Sequence, residues 1–221
     1  MKQIFLLTIF YSSLCIAQNP KEVELWADNY NNKVKFLNND KHETIIGSPF
    51  DNENFVEVEV ESIGKVADKL RYNALTDQLE FMKGKEIYNL NPIPDKKIML
   101  NTSPTTNFKF IEFDFADGAS KGYTYVLVDG SQFKLLKRSV KYLKNNSQNS
   151  QIRQRDTSFE IDQKPVEYIL EVDQKYYSMP KNKKEFLKKI KLSNPEFLEA
   201  LEMYNPKSEK DLISLVNKIN H

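Results

Sequence analysis

The chain has 221 residues, with 32 Lys and Arg against 31 Asp and Glu and a formal net charge of +1, so its charge balance carries no general signal for nucleic acid. It holds one cysteine, Cys15, and two histidines, His42 and His221. That leaves little material for thiol catalysis, thiolate metal sites or imidazole-based chemistry.

The first seventeen residues read as a secretory signal peptide. Lys2 precedes the apolar run Ile4 to Phe10, and the small residues Cys15 and Ala17 place cleavage before Gln18. Cleavage removes Cys15, so the mature chain of about 200 residues forms no disulfide. Lipidation of Cys15 is disfavoured by Leu14, which stands where a lipoprotein signal has Gly, Ala or Ser. No later apolar run reaches the roughly 20 residues of a membrane-spanning helix. The expectation is an exported protein, periplasmic or extracellular, with association to the outer membrane as an option.

Residues 19 to 46 give a weak pattern: Val23, Leu25 and Trp26 suit a strand or short helix, and Asn29, Asn31, Asn32, Asn38 and Asn39 oppose long regular structure. From Phe55 to about Met179 period two dominates. Val56, Val58 and Val60 alternate with Glu57, Glu59 and Glu61. Leu70, Tyr72 and Ala74 turn through Thr76, Asp77 and Gln78 into Leu79 and Phe81, a predicted hairpin. Lys83-Gly84-Lys85 makes a second turn into Glu86 to Leu90, and Ile98 to Leu100 is a short strand after a Pro-rich break. Phe108 to Phe115 and Tyr123 to Val128 are apolar on both faces, as central or covered strands are, with Asp117-Gly118 and Asp129-Gly130 as turns. Phe133 to Leu143 alternates with a slip at Leu135 and Leu136, which predicts a β-bulge there. Asn145 to Arg155 reads as a polar linker, followed by the strand pair Val166 to Val172 and Tyr176 to Met179.

The period then becomes helical. Three short helices fit: one after Asn182 with Phe186, Leu187 and Ile190; one from Asn194-Pro195 with Phe197, Leu198, Leu201 and Tyr204; and one after Ser208, where Asp211 completes a capping-box pattern ahead of Leu212, Leu215, Val216 and Ile219. The assembly expected is mainly β (α+β): an antiparallel β barrel or sandwich-like domain followed by a small C-terminal helical tail. Its divisions are signal peptide 1–17, β-rich domain 18–144, polar linker 145–158, and a terminal strand pair plus helical tail 159–221.

Several motifs in this order and spacing resemble a recurring group of secreted Bacteroidota proteins. They are Gly47-Ser48-Pro49-Phe50 with Phe55, Leu70-Arg71-Tyr72-Asn73 with Asp77 and Glu80-Phe81, Lys134-Leu135-Leu136-Lys137, Lys184-Glu185-Phe186-Leu187 and Lys210-Asp211-Leu212. The resemblance spans most of the mature chain and implies an envelope or extracellular location with no catalytic residue. The chain departs from the group's pattern at the segment Asn145 to Arg155, where members often carry a Pro- and Lys-rich spacer, and at Asn217 to Ile219, where they commonly end in aromatics.

Among candidate sites, Glu57, Glu59 and Glu61 share a strand face at about 7 Å spacing, either a surface for a cation or basic partner or a solvated face balanced by neighbouring Lys and Arg. Ser48 lacks the downstream glycine of a nucleophile elbow. Asp114, Asp117 and Gly118 with Asn107 or Glu112 offer oxygens for calcium at lower acidic density than an EF-hand, and read better as a turn. The richest candidate is basic: Lys134, Lys137, Arg138, Lys141, Lys144, Arg153 and Arg155 occur without an acidic residue between Ser131 and Arg155, a surface suited to anionic lipid or acidic glycan, or an edge strand protected by Lys. Abundant aromatics such as Phe108, Phe110, Tyr123 and Tyr125 fill a core or line a cavity. The leading expectation is a non-enzymatic envelope or extracellular interaction module with no cofactor, partnered by an envelope protein, anionic lipid or acidic glycan. The alternatives are a carrier of lipid or another hydrophobic ligand, and a hydrolase acting through carboxylates.

Overall fold

Alternating apolar residues make strands here because most strands of the large sheet bury a face against a core. In the computed structural model, residues 44–145, 158–179 and 208–221 are described. The predicted signal peptide, His42, most of the predicted linker and the first two predicted helices lie outside them. The strands are β1 (Thr44–Ile46), β2 (Val56–Val60), β3 (Gly64–Asn73), β4 (Gln78–Lys83), β5 (Glu86–Asn89), β6 (Lys97–Leu100), β7 (Thr106–Glu112), β8 (Lys121–Asp129), β9 (Phe133–Arg138), β10 (Lys141–Asn145), β11 (Ser158–Gln163), β12 (Glu167–Val172) and β13 (Lys175–Ser178). One described helix, α1 (Glu209–Ile219), follows.

Ten strands form one antiparallel sheet in the order β13-β12-β9-β8-β7-β6-β2-β3-β4-β5, curled into a half-barrel. The chain is therefore mainly β with a short C-terminal helix. The curl is visible in the aromatics. Tyr72 on β3 and Tyr125 on β8 are four strands apart in the sheet, yet their ring centroids are 5.9 Å apart. Tyr72 also lies 4.7 Å from Phe108 and 6.1 Å from Tyr123. These rings join Val58, Leu70, Leu79, Phe81, Ile98 and Leu100 in the core of the curled half.

The inner face continues across β8, β9 and β12 as a second core, where Val128, Phe133, Leu135, Leu170 and Val172 receive Leu212, Leu215 and Val216 of α1. The predicted helix start is found as read: Ser208 is the N-cap and its side chain accepts the Asp211 N–H. At the other end the Asn220 amide donates to the Phe133 and Val216 carbonyls, and its Oδ1 accepts the Gln132 and Phe133 N–H groups. A Cβ at Gly130 would collide with that amide, so a glycine is needed in the β8–β9 turn.

Three expectations are corrected. The register shift falls between Val126 and Val128 on β8, opposite the Leu135–Leu136 pair, so the additional residue belongs to β8. Leu135 and Leu136 are both fully buried because β9 is covered on both faces, Leu135 toward α1 and Leu136 toward Ile111, Phe115 and Ile169. The run Phe133 to Leu143 also divides at Ser139-Val140: β9 stays in the large sheet and β10 leaves to pair with β11. That smaller sheet, β1-β11-β10, was not foreseen, although Phe159 and Ile161 alternate with Glu160 and Asp162; β1 joins it in parallel to β11. After the linker, β12 pairs with β9, so the terminal strand pair extends the large sheet.

Candidate functional site

Residue parity decides what became of the basic stretch. On β9, residues three apart face opposite sides, so Lys134 and Lys137 do not share a surface. Lys134 pairs with Asp129 at 3.0 Å on the outer face, and Lys137 pairs with Glu209 of α1 at 2.8 Å on the inner one. Lys141 pairs with Asp51 at 2.8 Å and donates to the Ser48 and Phe50 carbonyls; Lys144 lies 3.9 Å from Asp162. Arg138 is only 4% exposed and belongs to the interior. Its guanidinium bridges Asp77 and Asp117, donates to the Tyr123 carbonyl and stacks 4.3 Å above Phe115. Arg153 and Arg155 lie outside the described residues. The five described cations are thus held singly by five sets of carboxylates and do not form one cationic strip.

The Asp117 carboxylate, weighed for calcium and read better as part of a turn, is likewise occupied, accepting from Arg138 and the Ala119 N–H. Among the described residues, no group of three or more His, Cys, Asp or Glu side chains is arranged to hold a metal ion. Ser48 caps a turn, its hydroxyl accepting the Phe50 N–H. His221 is exposed at the terminus.

What the strands do bring together is a charged groove of about 680 Å³ on the outer face, opposite α1. Strand register places Lys97 opposite Lys109, Lys134 opposite Glu171, and Glu171 opposite Tyr176, all on this side. Turns complete the wall: Glu61 after β2, Asp95 before β6, Ser131 and Gln132 between β8 and β9, and Asp173 and Gln174 between β12 and β13. Asp95, Asp173 and Gln174 reach it from left-handed backbone conformations, which Asp tolerates better than most residues.

Two arrangements organise the floor. Lys109 donates to both oxygens of Glu171 at 2.9 and 3.0 Å, with both side chains largely buried, and its ammonium lies 5.5 Å from the Tyr176 ring centroid. Burial pushes the Lys109 pKa down, but Glu171 and Tyr176 outweigh it and leave the ammonium above its usual value. The Asp129 carboxylate is shared by Lys97 and Lys134. Burial raises its pKa, yet hydrogen bonds and charge from these two lysines hold it below the ordinary range. Tyr176 is raised, chiefly by burial and further by the charges of Glu171 and Asp95. Of the charged candidate residues singled out in the sequence, Lys134 and the last member of the glutamate strip, Glu61, enter this groove; the Glu61 carboxylate accepts the Lys97 N–H at 3.1 Å.

A second, smaller recess of about 290 Å³ opens on the aromatic core. Tyr72, Phe108 and Tyr125 form its wall, with Asp51, Asn52, Asn54 and Arg71 among its polar lining. Tyr125 donates to Asp51 at 2.5 Å, and burial with that carboxylate pushes the phenol pKa up. Arg71 is fixed between Phe50 and Phe55, 3.8 and 4.4 Å from their centroids, and pairs with the buried Glu80 at 2.8 Å. Comparison with protein-family models, curated proteins and solved structures finds no match to this chain.

Proposed function

We propose that this is an exported, non-enzymatic interaction module and that the charged outer groove is where it receives a protein partner. The observation that carries the reading is the groove itself: six neighbouring strands and the turn after β2 contribute to its lining, and its floor is set by ion pairs made within the protein. Such a floor binds by shape and by rim groups, with little reorganisation when a partner arrives. Export is supported by the Lys2-to-Ala17 pattern and by the resemblance to secreted proteins.

The test is capture from envelope extract on immobilised mature protein beginning at Gln18, with mass spectrometry of proteins and lipids. A Ser131→Trp variant, which fills the groove from an exposed turn, should lose a partner that the parent retains. Equal capture by both proteins would sink the groove as the docking surface. The aromatic recess supports a second reading, a carrier of a small hydrophobic ligand seated against Tyr72, Phe108 and Tyr125. Its sign is recovery of lipid that Ser131→Trp retains and Tyr125→Ala loses.

A further inference from the structure

The charge balance of the groove says what kind of partner it suits. Its lining holds three lysines, Lys97, Lys109 and Lys134, and five carboxylates, Glu61, Asp95, Asp129, Glu171 and Asp173. All three ammonium groups are already committed to Asp129 or Glu171. Glu61 accepts a backbone N–H, and among the described residues no ion pair reaches Glu61, Asp95 or Asp173. An incoming anion would have to break an ion pair, one of them buried, before finding a cation. An incoming cation meets three carboxylates on turns that, among the described residues, have no cation to release.

The outline of the groove narrows the choice further. Its lining runs from Glu61 at the end of β2 across β6, β7, β8, β9, β12 and β13, and these seven strands are consecutive in the sheet. Six steps of about 4.8 Å make a path of roughly 29 Å. At about 3.3 Å per residue, that accommodates an extended segment of roughly nine residues. At the β2 end the acidic surface continues, because Glu57 and Glu59 lie exposed on the strand that leads to Glu61.

Resting on the interaction reading above, we propose that the groove binds an extended, lysine- or arginine-bearing polypeptide segment, with its cations on Glu61, Asp95 and Asp173. The floor pairs Lys109–Glu171 and Lys97–Asp129–Lys134 stay intact and keep the trough open. Opposite charges on the rim accelerate encounter and disfavour acidic segments, which gives selectivity without a deep anchor pocket.

The experiment uses the mature full-length chain and two labelled nonapeptides, one alternating Lys with Ser and one alternating Glu with Ser, followed by fluorescence anisotropy across a salt series. The Lys peptide should bind and weaken as salt rises, and the Glu peptide should not bind. Combined Glu61→Gln, Asp95→Asn and Asp173→Asn should weaken the Lys peptide by about tenfold or more. Asn is suited to the left-handed backbone at residues 95 and 173, so this variant retains the turns. Gln174→Lys, a single exposed change, should weaken binding in the same direction. Neutralising the exposed Glu112 and Asp114, outside the groove, should leave it unchanged. Absence of Lys-peptide binding, equal binding of the Glu peptide, or equal losses from the rim and control variants would each overturn the proposal. A partner from envelope extract that Ser131→Trp loses and the neutralised rim keeps would overturn the basic-segment proposal alone and leave the interaction reading standing.

Discussion

Arg138 shows how far a residue's role departs from its composition class. In the sequence it is one cation in a basic stretch; in the fold it fastens the curled sheet, tying the β3–β4 turn through Asp77 to β8 and to Asp117 of the β7–β8 connection. Asp77 completes the link by accepting the Tyr72 hydroxyl at 2.7 Å and the Tyr123 N–H at 3.3 Å. The guanidinium lies where a side chain at residue 122 would otherwise be, since a Cβ on Gly122 would collide with Arg138 and Asp77. Arg138→Leu leaves two poorly exposed carboxylates without their cation. It should lower unfolding free energy by about 3 kcal/mol, measured as a reduced urea midpoint. A variant as stable as the parent would refute this role. Nothing local to Arg138 in the sequence announces it, because Asp77 is 61 residues away.

At the scale of elements, legibility follows the range of the interaction. The β3–β4 and β4–β5 hairpins are readable because alternation and turn residues are local; in the first, Leu70 pairs with Phe81 and Tyr72 with Leu79. α1 is readable for the same reason: cap, spacing and apolar stripe all lie between Ser208 and Ile219. Its docking place is not readable, since it depends on β8, β9 and β12 sharing an inner face. Leu215→Ala removes a buried side chain from that contact and should cost about 3 kcal/mol. Asn220→Ala should have a narrower effect, faster amide hydrogen exchange at Gln132, Phe133 and the last turn of α1, with the β2–β5 hairpins unchanged. Uniform acceleration throughout the sheet would contradict a local clasp.

For the whole molecule, carboxylates with lowered pKa join distant parts of the chain. Asp51, raised by burial but lowered further by Lys141, Tyr125 and Lys137, ties the segment before β2 to β8 and β10; Asp129 ties β8 to β6 and β9. A carboxyl whose pKa is lower when folded binds protons more readily when unfolded. Its contribution is therefore present above the unfolded value, about 3.9, and is lost as pH falls through the lower folded value. The urea midpoint should accordingly decline below about pH 4, and Asp51→Asn combined with Asp129→Asn should shrink that decline. An unchanged acid limb in the double variant would exclude these groups as its source. The charged groove also belongs to this scale. Glu61, Asp95, Ser131 and Asp173 are spread over most of the described chain, and only the curl and strand order set them around one space.

The strand order has a consequence for how the chain acquires its shape. β2 to β5 and β6 to β9 are two meanders of consecutive hairpins, and they meet along one seam, where Val58, Glu59 and Val60 pair with Leu100, Met99 and Ile98. Within each meander the partners are close in sequence and quick to find one another, while the seam requires two formed units to align. Substitutions in a hairpin should therefore alter the formation of one half, whereas a substitution at Val60 or Ile98 should alter the rate at which the halves join. Contact order therefore predicts that a sheet continuous in space forms as two units that then join.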